Sequence, residues 1–230
     1  MTTHNDSAVP RRRGPWRPRT GSEDKRERIL NEAVDLFGAR GYVGTSLADI
    51  AQASDISKAG LLHHFASKEE LFTQVLARRD VEDARAAPGE SAQDMWAALE
   101  WWVGIVERNV GRRSLVSIYT AMTASVLDAE HPAHDWMVGH LGGTINDLVD
   151  MVEQGKADGA VRPDAPSHLI ARTLVALSDG LQVQWLADQI EVEHGRGGLG
   201  GIPPTDMVAE TRMVVDMLKT TWAIPSGRTA

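Results

Sequence analysis

The sequence predicts an all-α protein, in which a small N-terminal unit of three helices precedes a larger C-terminal helical bundle. Residues that favour helices recur at helical spacing along most of the 230-residue chain, whereas the alternation typical of β-strands is scarce. The segment from Thr45 to Glu70 adds the start signals of three successive helices. The chain is 42% hydrophobic and 24% charged, which is ordinary for a globular protein, and it contains no cysteine.

The N-terminal segment, residues 1–21, is expected to be a disordered basic arm. Five arginines and three prolines lie between Pro10 and Arg19, and proline at this density excludes a helix. A first helix is then expected to begin at Ser22 and to end just before Gly41, which would supply a left-handed cap. Its predicted apolar stripe comprises Ile29, Leu30, Ala33, Val34 and Phe37.

The segment from Thr45 to Glu70 is predicted to contain two short helices joined by a tight turn, followed by the start of a fourth helix. Side chains that can accept hydrogen bonds from free helix-start amides precede each of them. These expected caps are Thr45 or Ser46, then Ser57, and then Ser67 paired with Glu70. The expected inward residues are Leu47, Ile50 and Ala51 in the second helix, and Ala59, Leu62 and Phe65 in the third. Because helices this short cannot bury a core alone, the first three helices must pack together. The second and third helices then form a helix-turn-helix, and the third helix can enter the major groove of DNA.

With these elements in order, the segment from about Lys25 to Val75 resembles the DNA-binding domain of the TetR family of bacterial transcriptional repressors. About fifty consecutive residues match with their spacing intact. The matching residues are Phe37, Gly41 and Tyr42, the run 45–51, the triplet 56–58, and His64, Phe65, Lys68 and Leu71.

Three positions depart from the pattern of that family. Asp55 lies in the turn where the family usually has glycine, and we predict a positive φ there, which aspartate tolerates better than most residues. Ala59 stands where the family often has glycine. Leu62 replaces a common tyrosine, which removes a hydroxyl expected to contact phosphate.

The candidate DNA-binding residues lie on and beside the predicted recognition helix. Lysine can donate to guanine O6 and N7, hydroxyl groups can reach phosphates or base edges, and a glycine lets the backbone approach closely. Lys68 starts a helix, where its charge and the free backbone amides both favour a phosphate. The full set is Thr45, Ser46, Ser57, Lys58, Gly60, Leu61, His63 and Lys68. The alternative for these residues is an ordinary solvated surface.

The charge is divided unevenly along the chain. The formal net charge is −8, but residues 1–80 carry 13 basic against 11 acidic side chains, whereas residues 81–230 carry 11 against 21. A DNA-binding head on an acidic body has this distribution. For the arginine-rich arm two interpretations stay open, namely contact with the minor groove of DNA and a solvated leader.

The resemblance implies a helix-turn-helix domain at residues 22–67 and an effector-binding and dimerisation domain at residues 68–225. In the TetR family the last two helices pack against their twins in a four-helix dimer interface, and both predicted helices carry apolar stripes here. The expected helices after residue 67 cover residues 68–85, 95–110, 115–126, 132–154, 167–187 and 205–222. The candidate dimer-interface residues are Ile170, Leu174, Leu177, Leu181, Val215, Leu218 and Trp222. A core within one chain explains the same periodicity, so that alternative stays open.

Seven tryptophans and eight methionines are the remaining unusual feature of the composition. Flat tryptophan and flexible methionine side chains often line pockets for aromatic or lipophilic ligands. The candidate ligand-binding residues are Trp96, Trp102, Tyr119, Met122, Trp136 and Met137. Plain helical core is the alternative.

Two further patterns are weaker candidates for chemistry. Residues 195–200 match G-x-G-x-x-G, but no strand precedes them, so an interhelical loop is expected. A second cluster could place metal ligands on one helical face, with caps and surface groups as the alternative. Its members are His131, His134, His140, Asp128 and Asp135. The sequence lacks the common hydrolase, metalloprotease and phosphate-loop motifs, so we expect no catalytic residue, cofactor or metal.

Together these features predict a homodimeric, ligand-responsive transcriptional repressor in the cytoplasm. Two recognition helices would bind a pseudo-palindromic operator in double-stranded DNA, and an unknown small, largely apolar effector would release it. No apolar run approaches the ~18 residues that a membrane span needs, so no membrane partner is expected. The alternatives are a helical ligand-binding or interaction protein that has lost DNA binding and, last, a metal-assisted enzyme.

Overall fold

The structure, a computed structural model, describes residues 22–85 and 94–225, and within these ranges it is built from α-helices. They are α1 (Ser22–Arg40), α2 (Leu47–Ala53), α3 (Lys58–Leu62), α4 (Lys68–Arg85), α5 (Met95–Val110), α6 (Arg113–Met122), α7 (His134–Ala157), α8 (Ser167–Glu193) and α9 (Met207–Trp222). A short 3-10 helix, Thr123–Leu127, follows α6. The predicted all-α class is confirmed, whereas the predicted basic arm, residues 1–21, lies outside the described residues. None of the described helices is long and apolar enough to cross a membrane.

Helices α1 to α4, here called the head, share one core. The stripe predicted for α1 packs against α2, α3 and the first half of α4. Phe37 of α1 and Phe72 of α4 meet edge to face, with 5.0 Å between their ring centroids. The predicted domain boundary between residues 67 and 68 therefore falls at the start of a helix whose first turns belong to the core of the head.

The starts of α2 and α3 are capped by the expected serines. Ser46 accepts a hydrogen bond from the Asp49 amide, and the Asp49 carboxylate accepts one from the Ser46 amide at 2.9 Å. Hydrogen bonds from the Ser46 hydroxyl and amide lower the pKa of Asp49. Ser57 accepts a hydrogen bond from the Gly60 amide at 3.0 Å. Between the two helices Asp55 has a φ of 54°, which confirms the predicted left-handed turn.

The prediction that Ala59 and Leu62 of α3 face inward is wrong. Leu61 is fully buried and Phe65 is almost so, whereas Leu62 is 40% exposed and Ala59 is also exposed. The inward side of such a short helix depends on the direction in which the chain leaves the turn at Asp55. The spacing of two adjacent leucines carries no information about that direction.

Helices α5 to α9, here called the body, enclose a second core between α5, α7, α8 and α9. Two helices are longer than predicted, since α7 continues to Ala157 and α8 to Glu193. Gly155 allows α7 to pack closely, because a Cβ at this position would lie 2.8 Å from Cγ2 of Val161. In α8 the predicted end was Ala187 and the observed end is Glu193. Neither glycine nor proline occurs between these two residues to interrupt the helix.

A single buried carboxylate holds the loop between α8 and α9. Asp188 accepts hydrogen bonds from the Leu199 amide at 3.0 Å, from the Thr205 amide at 2.7 Å and from the Thr205 hydroxyl at 2.6 Å. The Thr205 hydroxyl is the largest of the causes that lower the pKa of Asp188. Thr205 was expected to cap α9, but it anchors this loop instead. Asp206 caps the helix by accepting a hydrogen bond from the Ala209 amide at 3.0 Å.

Replacing Asp188 with asparagine is expected to lower the melting temperature by several degrees at neutral pH. One acceptor oxygen becomes an NH₂ group, which faces N–H or O–H donors of Leu199 or Thr205. Because folding depresses the pKa of Asp188, its carboxylate stabilises the fold above the pKa of the unfolded state, and this contribution is lost as the pH falls through the lower folded-state pKa. Thermal melts from neutral to acidic pH should therefore show the two proteins converging in acid. The exposed Asp150 provides the control, since Asp150→Asn should leave the melting temperature unchanged at every pH.

Head and body share a continuous core where α1 packs on α6. A Cβ on Gly38 would lie 2.9 Å from Cβ and 3.0 Å from Cα of Ser114. The Ser117 hydroxyl donates to the carbonyl oxygen of Gly38 at 3.4 Å. Further along α6, Tyr119 and Met122 are buried in the same cluster as the core of the head. A displacement of α6 would therefore act directly on α1.

Candidate DNA-binding surface and ligand cavity

The outer side of α3 and its C-cap present four exposed residues on one face. Lys58, Ala59, Leu62 and His63 are all exposed, and their spacing of one and four positions brings them together on a helix. They offer a cation, two apolar contacts of different size and an imidazole. Groups of these kinds can contact base edges, because guanine presents acceptors and thymine presents a methyl group in the major groove.

The predicted DNA-binding residues do not all reach this surface. The exposed members are Ser46, Ser57, Lys58 and His63, and Gly60 is half-buried. Thr45 is a first correction, because it is buried and its hydroxyl is placed to donate to the carbonyl oxygens of Gly41 at 2.9 Å and Leu36 at 3.1 Å. It fastens the loop after α1 to the last turn of that helix. Leu61 is a second correction, because its side chain fills the core of the head.

Lys68 lies in the first turn of α4, beside the ring of Tyr42. Its Nζ is 4.2 Å from the ring centroid, a cation–π contact that holds the ammonium group at the helix start. Ser67 accepts a hydrogen bond from the Glu70 amide at 3.1 Å, and the Glu70 carboxylate accepts one from the Ala66 amide at 2.6 Å. The predicted capping box is therefore present in a variant form, in which the carboxylate reaches one residue further back.

A cavity of about 390 Å³ lies in the body between α5, α6, α7 and α8. This volume is within the range of ~300–1,000 Å³ that is typical of ligand pockets. Aromatic side chains line it from α5 and α6, namely Trp101, Trp102 and Tyr119. Polar side chains reach it from Asn109, His140, Asp147, Ser178, Asp179 and Gln182.

Some of these polar groups are paired with one another. The Tyr119 hydroxyl donates to the Asp179 carboxylate at 3.1 Å, and Nε2 of Gln182 donates to the Ser178 hydroxyl at 3.4 Å. Oε1 of Gln182 and Nε1 of Trp102 are buried and have no hydrogen-bond partner among the described residues. Two lining residues therefore each keep one unpaired polar atom buried behind the surface of the cavity.

The ligand-binding set predicted from the sequence is corrected in four positions. Trp102 and Tyr119 line the cavity. The members that do not line it are Trp96, Met122, Trp136 and Met137. The two methionines are buried in the core shared with the head, and Trp96 packs in the second core, where its Nε1 donates to the Ala160 carbonyl at 3.4 Å. Trp136 stacks on the lining residue His140, with 4.9 Å between ring centroids, but does not line the cavity itself.

Sequence reasoning missed the polar side of the cavity. Asn109 and Gln182 are buried on helix faces that are otherwise apolar, and Asp179 lies one turn before Gln182 on α8. Burial of a polar side chain is unfavourable unless a partner satisfies it. A polar residue inside an apolar helical stripe is therefore the signal that could have found these positions.

Four of the seven predicted dimer-interface residues are a further correction, because they lie in the core of a single chain. Those that are buried within the protomer are Ile170, Leu174, Leu181 and Val215. Leu177, Leu218 and Trp222 are half-buried against the same cores. A different stripe of α8 is exposed, at Leu169, Thr173, Ala176, Val183 and Ile190, and α9 exposes Met213 and Met217.

Comparison with known proteins identifies the family. Residues 29–75, from α1 to the first half of α4, match the model for bacterial regulatory proteins of the tetR family. The chain is 30% identical over 185 residues to the HTH-type transcriptional repressor Rv3405c of Mycobacterium tuberculosis, a match that covers 80% of this chain and 81% of the relative. The chain belongs to the TetR family.

Other TetR-family proteins are similar over most of the chain. The HTH-type transcriptional repressor KstR2 of Mycolicibacterium smegmatis is 27% identical over 194 residues, which cover 77% of this chain and 90% of the relative. The solved structure of a TetR transcriptional regulator from Chloroflexus aurantiacus has the same fold, with a TM-score of 0.69 at 18% identity over 88% of this chain and 98% of that chain. This TetR-family protein is a DNA-binding transcriptional regulator. Members of the family bind DNA operators, typically as homodimers with small-molecule effectors, and are generally not enzymes.

Apart from His140, which lines the cavity, the residues of the weaker sequence patterns belong neither to the cavity lining nor to the outer face of α3 in this TetR-family regulator. Residues 195–200 lie in the loop between α8 and α9. The His131 ring accepts a hydrogen bond from the Ala133 amide at 3.1 Å, and Nδ1 of His134 lies 3.2 Å from the Ser125 carbonyl oxygen. In the part of the chain that the structure describes, no group of three or more His, Cys, Asp or Glu side chains could hold a metal ion.

Lys68→Ala in this TetR-family protein is expected to weaken binding to the operator and to random DNA by the same factor. A phosphate contact carries no sequence information, and each lost contact lowers the slope of log K against log salt by about one, hence about two in a dimer. Fluorescence anisotropy at several salt concentrations measures both effects. Lys156→Ala in the body is the matched control and should change neither. A loss confined to the operator would instead make Lys68 a base-contacting residue.

Proposed function

We propose that this regulator is a homodimeric repressor that is released from its operator by a small ligand in the body cavity. In this proposal two copies of α3 bind the half-sites of a pseudo-palindromic sequence in double-stranded DNA. The observation that carries it is the position of Tyr119. Its hydroxyl donates to Asp179 in the cavity wall at 3.1 Å, while its ring is buried in the core shared with the head. One side chain thus touches both the cavity and the core that supports the DNA-binding helices.

The coupling between ligand and DNA runs through α6 in this proposal. Tyr119 lies toward the C-terminal end of α6, and Ser114 at its N-terminal end packs on Gly38 of α1. A ligand that prefers one position of α6 shifts the protein toward it by its difference in affinity for the two states. Movement of α1 then changes the distance between the two recognition helices, which must match the spacing of successive major grooves.

The DNA contacts are assigned to residues 22–67 and to Lys68 in the first turn of α4. Lys58 is assigned to guanine, Leu62 to a thymine methyl group and Lys68 to a phosphate, since these pairings follow from the groups each side chain exposes. His63 lies next to Leu62 on the same face and adds a donor or an acceptor.

Dimerisation is assigned to the exposed stripes of α8 and α9, within the effector-binding and dimerisation domain that we propose for residues 68–225. Val183, Met213 and Met217 are more than half exposed in the protomer, and contact with the same stripes of a second copy would cover them. Gly180 lies on the same side of α8, and nothing lies within 4 Å of a Cβ built on it. A helix of the partner can therefore approach closely at this point.

Selection from a random double-stranded DNA library with the full chain tests the proposal. We expect enrichment of two inverted half-sites whose centres are about 10 bp, or a multiple of that, apart. Lys58→Ala should abolish the enrichment, whereas Asp35→Ala, at an exposed position of α1, should preserve it. Failure to enrich any sequence would favour the alternative in which the protein has lost DNA binding.

The assignment of Leu62 predicts sensitivity to a single methyl group on the DNA. Replacing the contacted thymine of each half-site with deoxyuracil removes one methyl, at a cost of about 0.8 kcal/mol per half-site. The wild-type protein should therefore lose about tenfold in affinity, and Leu62→Ala should bind both DNAs equally. His63→Ala is the control and should keep the full sensitivity to the methyl group. If no thymine of the operator responds to this exchange, Leu62 does not read a base.

A further inference from the structure

The head carries little positive charge for a DNA-binding domain. Residues 22–85 hold nine basic against twelve acidic side chains. Among the basic ones, Arg78 forms an ion pair with Glu27 at 3.3 Å. Affinity for the DNA backbone comes from lysine and arginine side chains that neutralise phosphates, whereas a surplus of acidic groups is repelled by the duplex. A further source of positive charge is therefore expected beside the recognition helix.

The basic arm, residues 1–21, carries the charge that the head lacks. It contains five arginines against a single acidic residue, Asp6, and all five arginines lie between Pro10 and Arg19. Three prolines in the same ten residues exclude a helix. The minor groove of DNA is about 6 Å wide, which is too narrow for a helix but admits an extended chain with arginine side chains.

The start of α1 brings the end of this arm next to the recognition helix α3. Arg26 lies in the second turn of α1, and its guanidinium carbon is 4.9 Å from the ring centroid of Phe65. Phe65 follows the last residue of α3 by three positions, and its amide donates to the Leu61 carbonyl oxygen at 3.0 Å. The first turns of α1 therefore lie beside the C-terminal end of α3, and the arm joins the head at that point.

The arm is long enough to reach the neighbouring minor groove while α3 stays in the major groove. Arg19 precedes Ser22 by three residues and Arg11 precedes it by eleven. Eleven residues in a polyproline conformation span about 34 Å. The minor groove next to a contacted major groove is about half a helical turn away, or about 17 Å. The arginine-rich segment thus covers the distance with residues to spare.

We infer that residues 10–19 bind the minor groove that adjoins the major groove occupied by α3. This inference rests on the proposed function only for the position of α3 in the major groove. A guanidinium group is more weakly hydrated than an ammonium group, and the narrow minor groove of A·T-rich DNA attracts it by its strong negative potential. Guanine places its N2 amino group, a donor, in the same groove. The arm therefore favours base pairs that lack this amino group.

Two duplexes with the same major groove test the inference. Inosine is the guanine nucleoside without the N2 amino group, so an I·C pair differs from a G·C pair in the minor groove alone. Alternating I·C and G·C duplexes are titrated with the full chain by fluorescence anisotropy at several salt concentrations. The wild-type protein should bind the I·C duplex about tenfold more tightly, equivalent to 1.4 kcal/mol. Equal affinity for the two duplexes overturns the inference.

Replacing all five arginines in the full chain shows whether the arm is responsible. The substitutions are Arg11→Ala, Arg12→Ala, Arg13→Ala, Arg17→Ala and Arg19→Ala. This variant should bind both duplexes equally, and the slope of log K against log salt should be lower by at least about two per protomer. Its melting temperature should not change, because the five arginines precede every residue of the described cores. The matched control carries lysine at the same five positions and should keep the salt slope of the wild type.

The other results each overturn the inference. An alanine variant with the affinity and salt slope of the wild type would show that the arm is a solvated leader. An alanine variant that still prefers the I·C duplex would place the source of the preference in the head. A lower salt slope without any preference of the wild type would limit the arm to phosphate contacts.

Operator selection separates this inference from the proposed function. If the I·C preference depends on the arm but the random library enriches no inverted half-sites, the arm binds the minor groove and the proposed repressor fails. If half-sites are enriched but the wild type does not distinguish the two duplexes, the repressor stands and the inference fails. A wild-type protein that binds neither duplex overturns the inference as well.

Discussion

Val183→Glu, a single charge on the exposed stripe of α8, is expected to turn the protein into a folded monomer that no longer selects its operator. Val183 is 52% exposed in the protomer, and contact with a second copy would bury it. At a two-fold interface the substitution buries two unpaired carboxylates, which costs several kcal/mol. Because the side chain is exposed in the isolated chain, the protomer itself should stay folded.

Val192→Glu is the matched control for that substitution. Val192 is 57% exposed on the same helix, and nine residues at about 100° each place it on the opposite side from Val183. Sedimentation at micromolar concentration should give a monomer for Val183→Glu and a dimer for Val192→Glu. Met217→Glu, on the exposed stripe of α9, should behave as Val183→Glu does.

The loss of the dimer should be visible in DNA binding. Two linked heads bind more tightly than one by about 10²–10⁴-fold, since the second contact becomes intramolecular. The Val183→Glu variant should lose affinity for the operator by that factor and keep a weak, salt-sensitive affinity for any DNA. A dimeric variant would mean that the interface lies elsewhere. A monomeric variant with normal operator affinity would show that one head is sufficient.

Gly38→Ala is expected to disturb the packing of the head on the body at the contact between α1 and α6. The new Cβ would lie 2.9 Å from Cβ, 3.0 Å from Cα and 3.1 Å from the carbonyl oxygen of Ser114. Two of these atoms belong to the backbone, so α1 or α6 must shift as a whole. Overpacking of this kind lowers the free energy of unfolding by about 1–3 kcal/mol. Because the shift alters the position of the head, operator affinity should fall by about tenfold, equivalent to 1.4 kcal/mol.

Gly142→Ala is the control for the change in helix propensity. Gly142 is exposed inside α7, and nothing lies within 4 Å of a Cβ built on it. Alanine there should raise the free energy of unfolding by about 0.5–1 kcal/mol and leave operator affinity unchanged. Chemical denaturation and anisotropy on both variants measure the contrast. If Gly38→Ala is as stable as Gly142→Ala and binds the operator normally, the junction does not couple head to body.

Features determined by neighbouring residues could be predicted from the sequence. The caps at Ser46 and Ser57 and the left-handed conformation of Asp55 depend on side chains within a few positions of each other. The start of α4 at Lys68 is likewise as expected, because the signal there is local. The α8–α9 loop shows the limit, since Thr205 was expected to cap α9 but bonds to Asp188, seventeen positions away.

Features determined by packing between distant segments could not be predicted. A stripe such as Leu174 and Leu181 has the same spacing whether it faces its own chain or a second copy, and the structure shows that it faces its own chain. Leu61 and Leu62 are adjacent, so periodicity could not decide which one faces the core. The cavity depends on four helices whose mutual positions no local pattern encodes, and only two of the six residues proposed for it line it.

Two heads held at one fixed separation are the central requirement for operator binding, and that separation can be measured directly. The chain has no cysteine, so Asp35→Cys on α1 carries one nitroxide label per protomer. Pulsed dipolar spectroscopy of the operator complex should give a single narrow distance between the two labels, and the Val183→Glu variant should give none. A wild-type complex without a dipolar signal, or with a broad distribution of distances, would contradict a dimer that binds its operator through two rigidly spaced heads.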